Sequence, residues 1–317
     1  MNIPAKIHTL AIFGLAKNTG KTTTLNAIIN ATKRTIAITS IGLDGEHYDQ
    51  INFLPKPQIT LPKGTIIATA EETLTHQENM TLIKKTALQT ALGPIVIVRT
   101  TKRANFLIAG PTSNQDLNKL LDILKPMADL VLIDGALNRK TFTQLNCIDG
   151  LILATGASVS KTLDDTVRLT KNTVQLFAQK TTHNPLSLPY KIATVIGQEK
   201  TYYQSKNSTI LKQCLKPHAK IYFKGAITNH LIDTVLKFSE GPLELIAEDP
   251  SKWLFDLKKI DYLTHKQITL SVLHAVKLLA ITINPTRPSG ENYDAEDFKK
   301  QLVNTLEIPV YNVLEGK

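Results

Sequence analysis

The first half of the chain alternates short apolar runs with stretches of helical spacing. Ile7–Phe13 is short and largely apolar, the pattern of a strand buried on both faces of a parallel sheet. Leu25, Ile28 and Ile29 recur at helical spacing after Thr22–Thr24, and Thr35–Ile41 is again strand-like, which together make a βαβ unit. Gln58–Leu61 and Thr65–Thr69 flank Pro62-Lys63-Gly64 and predict a small hairpin inserted beside the main sheet. A helix is expected from about Glu72 to Leu92, followed by strands at Pro94–Val98 and Asn105–Ala109. Ser113 can cap a helix running to about Lys125, and Leu130–Ile133 and Leu151–Ala154 complete the series of short buried strands.

Strands alternating with helices predict an α/β fold: a mostly parallel sheet with helices on both faces, followed by a second, smaller α/β portion. Polar residues and breakers in Lys180–Pro189, after a helix at about Leu163–Phe177, place the expected boundary between a first domain at 1–182 and a C-terminal domain at 183–317. The latter carries strand patterns near Ile192–Ile196, Ile221–Phe223, Leu243–Ile246, Leu278–Ile283 and Val310–Val313. Its helical patterns lie near Asn229–Phe238 and Ala295–Leu306.

Composition narrows the function classes. With 42% hydrophobic and 20% charged residues among 317, the chain is neither disordered nor fibrous. No apolar run approaches the length that spans a bilayer, and no export signal is legible, so a cytoplasmic protein is expected. Two cysteines without a CxxC or Cys/His pattern give no disulfide framework and no zinc site. The net charge of +10 permits polyanion binding, but the basic residues stand in twos and threes without interleaved aromatics, which argues against a nucleic-acid partner.

The candidate chemistry lies in Gly14-Leu15-Ala16-Lys17-Asn18-Thr19-Gly20-Lys21-Thr22-Thr23, between the first strand and its helix. It ends in the Gly-Lys-Thr of a phosphate-binding loop, where backbone N–H groups and the helix dipole favour an anion, so the expected sheet is P-loop NTPase-like and 1–182 the expected P-loop nucleotide-binding domain. Lys17, Asn18, Thr19, Gly20, Lys21, Thr22 and Thr23 are the expected nucleotide contacts. Lys21 would reach the β- and γ-phosphates, and the Thr22 hydroxyl would ligate Mg²⁺. The loop is a variant: the first glycine of the strict motif falls at Leu15, with Gly14 one residue early. The second lysine of the dimerising ParA/MinD branch would fall at Ala16, and Lys17 is out of register for it.

Asp134 ends the apolar run Leu130–Ile133, which places a carboxylate at the end of a strand where it can hold Mg²⁺. Asp44, in Gly42-Leu43-Asp44-Gly45, fits either an acid facing Mg²⁺ and the attacking water or an Asp-Gly turn. Glu71 and Glu72 are weaker acidic candidates. Arg139 and Lys140 fit either charge neutralisation or a solvated loop. Asn284, in Asn284-Pro285-Thr286, fits either a contact to a nucleotide base or a turn. The expected catalytic set is Lys21, Asp44 and Asp134, with Thr22, Asp44 and Asp134 at the metal. ATP and Mg²⁺ are the expected cofactors.

With these residues go Thr39-Ser40-Ile41-Gly42-Leu43-Asp44-Gly45-Glu46, Pro62-Lys63-Gly64-Thr65, Ala68-Thr69-Ala70-Glu71 and Ala109-Gly110-Pro111. To them are added Leu132-Ile133-Asp134-Gly135-Ala136-Leu137 with Arg139, Ala154-Thr155-Gly156-Ala157 and Lys224-Gly225-Ala226-Ile227-Thr228. In this set, spread over most of its length, the chain resembles the P-loop subunit (KamB) of the reactivating factor for lysine 5,6-aminomutase. The loop alone is shared with dethiobiotin synthetase and MobB-like proteins. The resemblance implies an ATP-dependent helper that works with a second ATPase subunit. Its client is an adenosylcobalamin-dependent aminomutase acting on lysine or ornithine, from which damaged cobalamin is exchanged. The alternatives are a dethiobiotin-synthetase-like ligase that phosphorylates a small carboxylate, and a nucleotide-sensing module with little turnover.

Overall fold

The computed structural model describes residues 3–41, 43–44, 59–74, 77–136, 147–182, 190–288 and 290–314. The chain forms two compact units: Met1–Phe142, Cys147–Val167 and Leu278–Lys317 make the first, and Thr143–Asn146 with Arg168–Lys277 the second. From the N-terminus run β1 (Thr9–Gly14), α1 (Lys21–Ala31), β2 (Ile36–Ser40), β3 (Leu43–Asp44), β4 (Ile59–Leu61) and β5 (Ile66–Ala70). Next come β6 (Met80–Thr90), β7 (Gly93–Thr100), β8 (Ala104–Phe106), β9 (Ile108–Ala109), α2 (Asn114–Leu124), β10 (Leu130–Ala136), β11 (Gly150–Gly156) and α3 (Leu163–Phe177). The second unit continues with β12 (Ile192–Ile196), β13 (Glu199–Tyr203), α4 (Ser208–Cys214), β14 (Lys220–Phe223), β15 (Ile227–Thr228) and α5 (Asn229–Phe238). It ends with β16 (Leu243–Ala247), β17 (Trp253–Leu254), α6 (Lys259–His265) and β18 (Ile268–Val272), before β19 (Leu278–Asn284), α7 (Ala295–Thr305) and β20 (Val310–Asn312).

The first unit is built on a nine-stranded mixed sheet of order β20-β19-β11-β1-β10-β2-β5-β7-β6. The strands from β20 to β5 are mutually parallel, and β7 and β6 add antiparallel pairs at one end. β1 lies between β10 and β11 with all six residues buried, which is why its apolar run shows no alternation. Leu10, Ile12 and Phe13 are fully buried, each contributing about 2 kcal/mol, so the loop that leaves Gly14 starts from a rigid base. The α1 turns are Thr-rich and of modest intrinsic helicity; the helix is held by Leu25, Ile28 and Ile29, which repeat at helical spacing on its buried face. Ser113 caps α2 by accepting a hydrogen bond from the Asp116 N–H.

Three expectations differ from this fold. The segment expected as a helix over Glu72–Leu92 contains the edge strand β6, paired antiparallel with β7. Its exposure on both faces and two register shifts, after Leu82 and after Lys85, erase the period-2 alternation that marks a strand. The expected hairpin separates: β4 pairs with β8, whereas β5, fully buried, enters the main sheet between β2 and β7. The division at 182/183 also takes another form, because β19, α7 and β20 belong to the first unit. β19 pairs in parallel with β11, so in chain order the second unit is inserted within the crossover between them, which begins with α3.

The second unit holds a five-stranded sheet of order β13-β12-β14-β16-β18. β14, β16 and β18 run parallel, with α5 and α6 as the crossover helices. Its core includes Ile221, Phe223, Ile232, Val235, Leu245, Trp253 and Leu263. Among the described residues no helix is long and apolar enough to cross a membrane.

Candidate functional site

Asn18 and Gly20 turn the chain from β1 into α1 in left-handed conformations, φ 61° and 85°. The turn is closed locally: the Thr19 hydroxyl donates to Ala16 O at 3.0 Å, and the Leu15 N–H donates to Ala154 O of β11 at 3.0 Å. Helix α1 begins at Lys21 with no side-chain cap and no acidic residue in its first turn, which leaves its N-terminal N–H groups and dipole open to an anion. Gly14 has no room for a side chain. A Cβ there would stand 2.5 Å from Thr19 Oγ1 and 2.9 Å from the Lys21 stem, which folds back over it. The glycine that looks one residue early is thus the one over which the lysine passes.

The same fold-back brings Lys21 Nζ to 3.9 Å from Asp134 Oδ1. Asp134 is 1% exposed, in register with Ile12 of β1 on one side and Ser40 of β2 on the other. A carboxylate at such a depth is costly unless charge or hydrogen bonds compensate it. Lys17 is exposed, Thr22 is half-buried, and Thr19 and Thr23 are buried. Hard oxygen donors on Thr22 and Asp134, near a lysine and an open helix N-terminus, suit Mg²⁺ with a polyphosphate.

The remaining sequence candidates fall at different places. The backbone of Asp44 sits in β3, paired with Ile108 of β9; its side chain lies outside the described part. Glu71 forms an exposed ion pair with Lys85 at 2.6 Å, and the Glu72 N–H donates to Leu92 O. Arg139 and Lys140 lie outside the described residues. Asn284, at the end of β19, stands directly against the loop: its Nδ2 donates to Asn18 O at 2.8 Å.

A set of buried hydroxyls beside this centre has roles that residue-by-residue reading did not assign. Thr24 Oγ1, in the first turns of α1, donates to Gly20 O at 3.0 Å and lies 2.7 Å from Thr282 Oγ1 of β19. Ser40 Oγ donates to Ile108 O and accepts from the Gly110 N–H, while Thr69 Oγ1 accepts from the Ala109 N–H and Thr39 Oγ1 donates to Ala68 O. The first three bonds fasten β9 and Gly110 to the ends of β2 and β5, and the last joins β2 to β5. They bring Thr39-Ser40, Ala68-Thr69 and Ala109-Gly110, distant in sequence, together. Gly110 packs so closely that a Cβ would stand 1.7 Å from Ser40 O. The signal available in the sequence was a hydroxyl residue late in an otherwise apolar strand.

In the second unit, Lys224-Gly225-Ala226 forms the turn after β14 and Ile227-Thr228 is β15. Lys206 Nζ donates to Lys224 O and Ala226 O at 2.7 and 3.0 Å, and the Gly225 N–H donates to Glu248 Oε2 at 2.6 Å. Burial, with the nearby Lys191, lowers the Lys206 pKa. Asp249, whose carboxyl is pushed up by burial, pairs with the equally buried Lys252 at 3.7 Å. Burial likewise pushes the Cys147 and Cys214 thiols up, against nucleophile roles.

No protein-family model, no curated protein and no solved structure matches this chain.

Proposed function

We propose that the chain is a P-loop Mg-ATPase and serves as the reactivating-factor subunit of an adenosylcobalamin-dependent lysine or ornithine aminomutase. The single observation that carries the nucleotide part is Lys21 folded across Gly14 to within 3.9 Å of the buried Asp134, at the open N-terminus of α1. The client, and the second ATPase subunit acting with this one, rest on the resemblance carried by the motifs spread along the chain.

On this reading, Lys21 exchanges Asp134 for the β- and γ-phosphates and neutralises charge there as a mobile cation. Thr22 and Asp134 would supply oxygen ligands for Mg²⁺, with Asp44 as the further acid the sequence offers. Bound Mg-ATP supplies the transferable phosphoryl group and the free energy of its hydrolysis. The loop amides at Asn18–Lys21 would orient the phosphates, and the contact between Lys21 and Asp134 would differ between nucleotide states. A client is driven only if its affinity differs between those states.

The test is recovery of a mutase inactivated by its own turnover, with ATP, Mg²⁺, fresh adenosylcobalamin and both subunits, and with Lys21→Ala in place of the wild-type chain as control. Lys21→Ala should weaken ATP binding by about tenfold or more, the scale of a lost charge-assisted contact, and should abolish recovery. Recovery that is equal without this chain, or equal with the variant, refutes the reactivase assignment. ATP turnover stimulated by a small carboxylic acid and independent of any protein would make the chain a ligase.

A further inference from the structure

The nucleotide reading leaves open what Asn284 does, and its geometry points away from contact with a base. Both ends of its amide are engaged: Nδ2 donates to Asn18 O at 2.8 Å, and Oδ1 accepts from the Thr286 N–H at 3.2 Å and from the Thr286 hydroxyl at 2.7 Å. Its Cβ fills the space beside Gly20, where a glycine Cβ would lie 3.1 Å away, and its carbonyl accepts from the Ala157 N–H at 2.9 Å. A Cβ on Gly156 would come within 2.5 Å of that carbonyl, so β11 and β19 close on each other behind the loop. Thr282, which shares a strand face with Asn284, places its hydroxyl 2.7 Å from Thr24 Oγ1. One strand therefore braces both the loop and the first turns of the helix.

We infer that Asn284 is a positioning residue: through Asn18 O it holds the phosphate loop in its binding conformation and does not read the base. The inference rests on the nucleotide site proposed above. Asn18 is a non-glycine residue at φ 61°, a conformation that persists where its surroundings over-determine it, and the bond to its own carbonyl is such a constraint. A loop fixed before the ligand arrives spends less of the binding free energy on ordering.

The experiment is calorimetric titration of the full chain with two probes in the presence of Mg²⁺: ATP, and inorganic tripolyphosphate, which has no base. Asn284→Ala should weaken both by the same factor, about fivefold to tenfold, the scale of one lost hydrogen bond. Asn284→Asp keeps the size and the acceptor but loses the donor, and should weaken both at least as much. Loss of affinity for ATP alone would make Asn284 a base contact and overturn the inference; so would unchanged affinity for both. Failure of the nucleotide site itself is read separately, from Lys21→Ala: if that variant binds both probes like the wild type, the site is misplaced whatever Asn284 does.

Discussion

The hydroxyl pair Thr24–Thr282 gives a quantitative test of how the C-terminal strand supports the loop. Both residues are fully buried and their Oγ1 atoms lie 2.7 Å apart. Thr24 has one hydroxyl proton, which goes to Gly20 O, so Thr282 is the donor to Thr24. Thr24→Val keeps the volume but leaves the Thr282 hydroxyl buried without its acceptor, a cost of about 2 kcal/mol. Thr282→Val leaves Thr24 bonded to Gly20 O and places a β-branched apolar residue in a central strand, so its cost is about 1 kcal/mol or less. The double variant sets two valines in contact and should lose only about 1 kcal/mol, which makes the coupling favourable by about 1–2 kcal/mol. The single tryptophan, Trp253, belongs to the second unit and does not report on this change. The assay is therefore native-state hydrogen exchange followed on peptides covering 21–31 and 278–284. Losses that add to within about 0.4 kcal/mol would show that the hydroxyls do not interact and would remove the brace.

Asp134→Asn should reduce ATP hydrolysis far more than ATP binding, read from single-turnover rates beside equilibrium affinities; a near-normal rate takes Asp134 out of the metal site. Gly110→Ala should cost about 3 kcal/mol or more, because a Cβ 1.7 Å from Ser40 O forces two backbones apart; unchanged denaturant unfolding contradicts that packing. The Thr35 hydroxyl and N–H hold Asp129 below the usual carboxylate range. Its folded pKa is thus lower than its unfolded one, so its support for the fold is present above the unfolded value of 3.8 and is lost as pH falls through the folded one. Asp129→Asn should flatten the acid limb of an unfolding curve, and an unaltered limb would count against the contact.

Much of the first unit was legible because its signals are local. A strand buried on both faces must be apolar throughout, and β1, β10 and β11 appear in the sequence as such runs. The Gly-Lys-Thr at a strand-to-helix turn and the Asp after an apolar run depend only on neighbouring residues, and tertiary structure then put Lys21 and Asp134 3.9 Å apart. What the sequence could not decide was pairing. An apolar run such as Leu278–Ile283 states that it is buried but not against which strand, and it was the hydrogen bonds of β19 to β11 that returned it to the first unit and set Asn284 against Asn18. The edge strand β6 carries no burial pattern because it is exposed on both faces and its register shifts twice, so its helical appearance could be corrected only by its ladder to β7. The hydroxyls of Thr24, Ser40, Thr69 and Thr282 were visible as residues, but a hydrogen bond between groups far apart in the chain has no local signature. Local chemistry thus fixed where the loop and its carboxylate lie along the chain, and only the long-range pairing of strands determined what holds them in place.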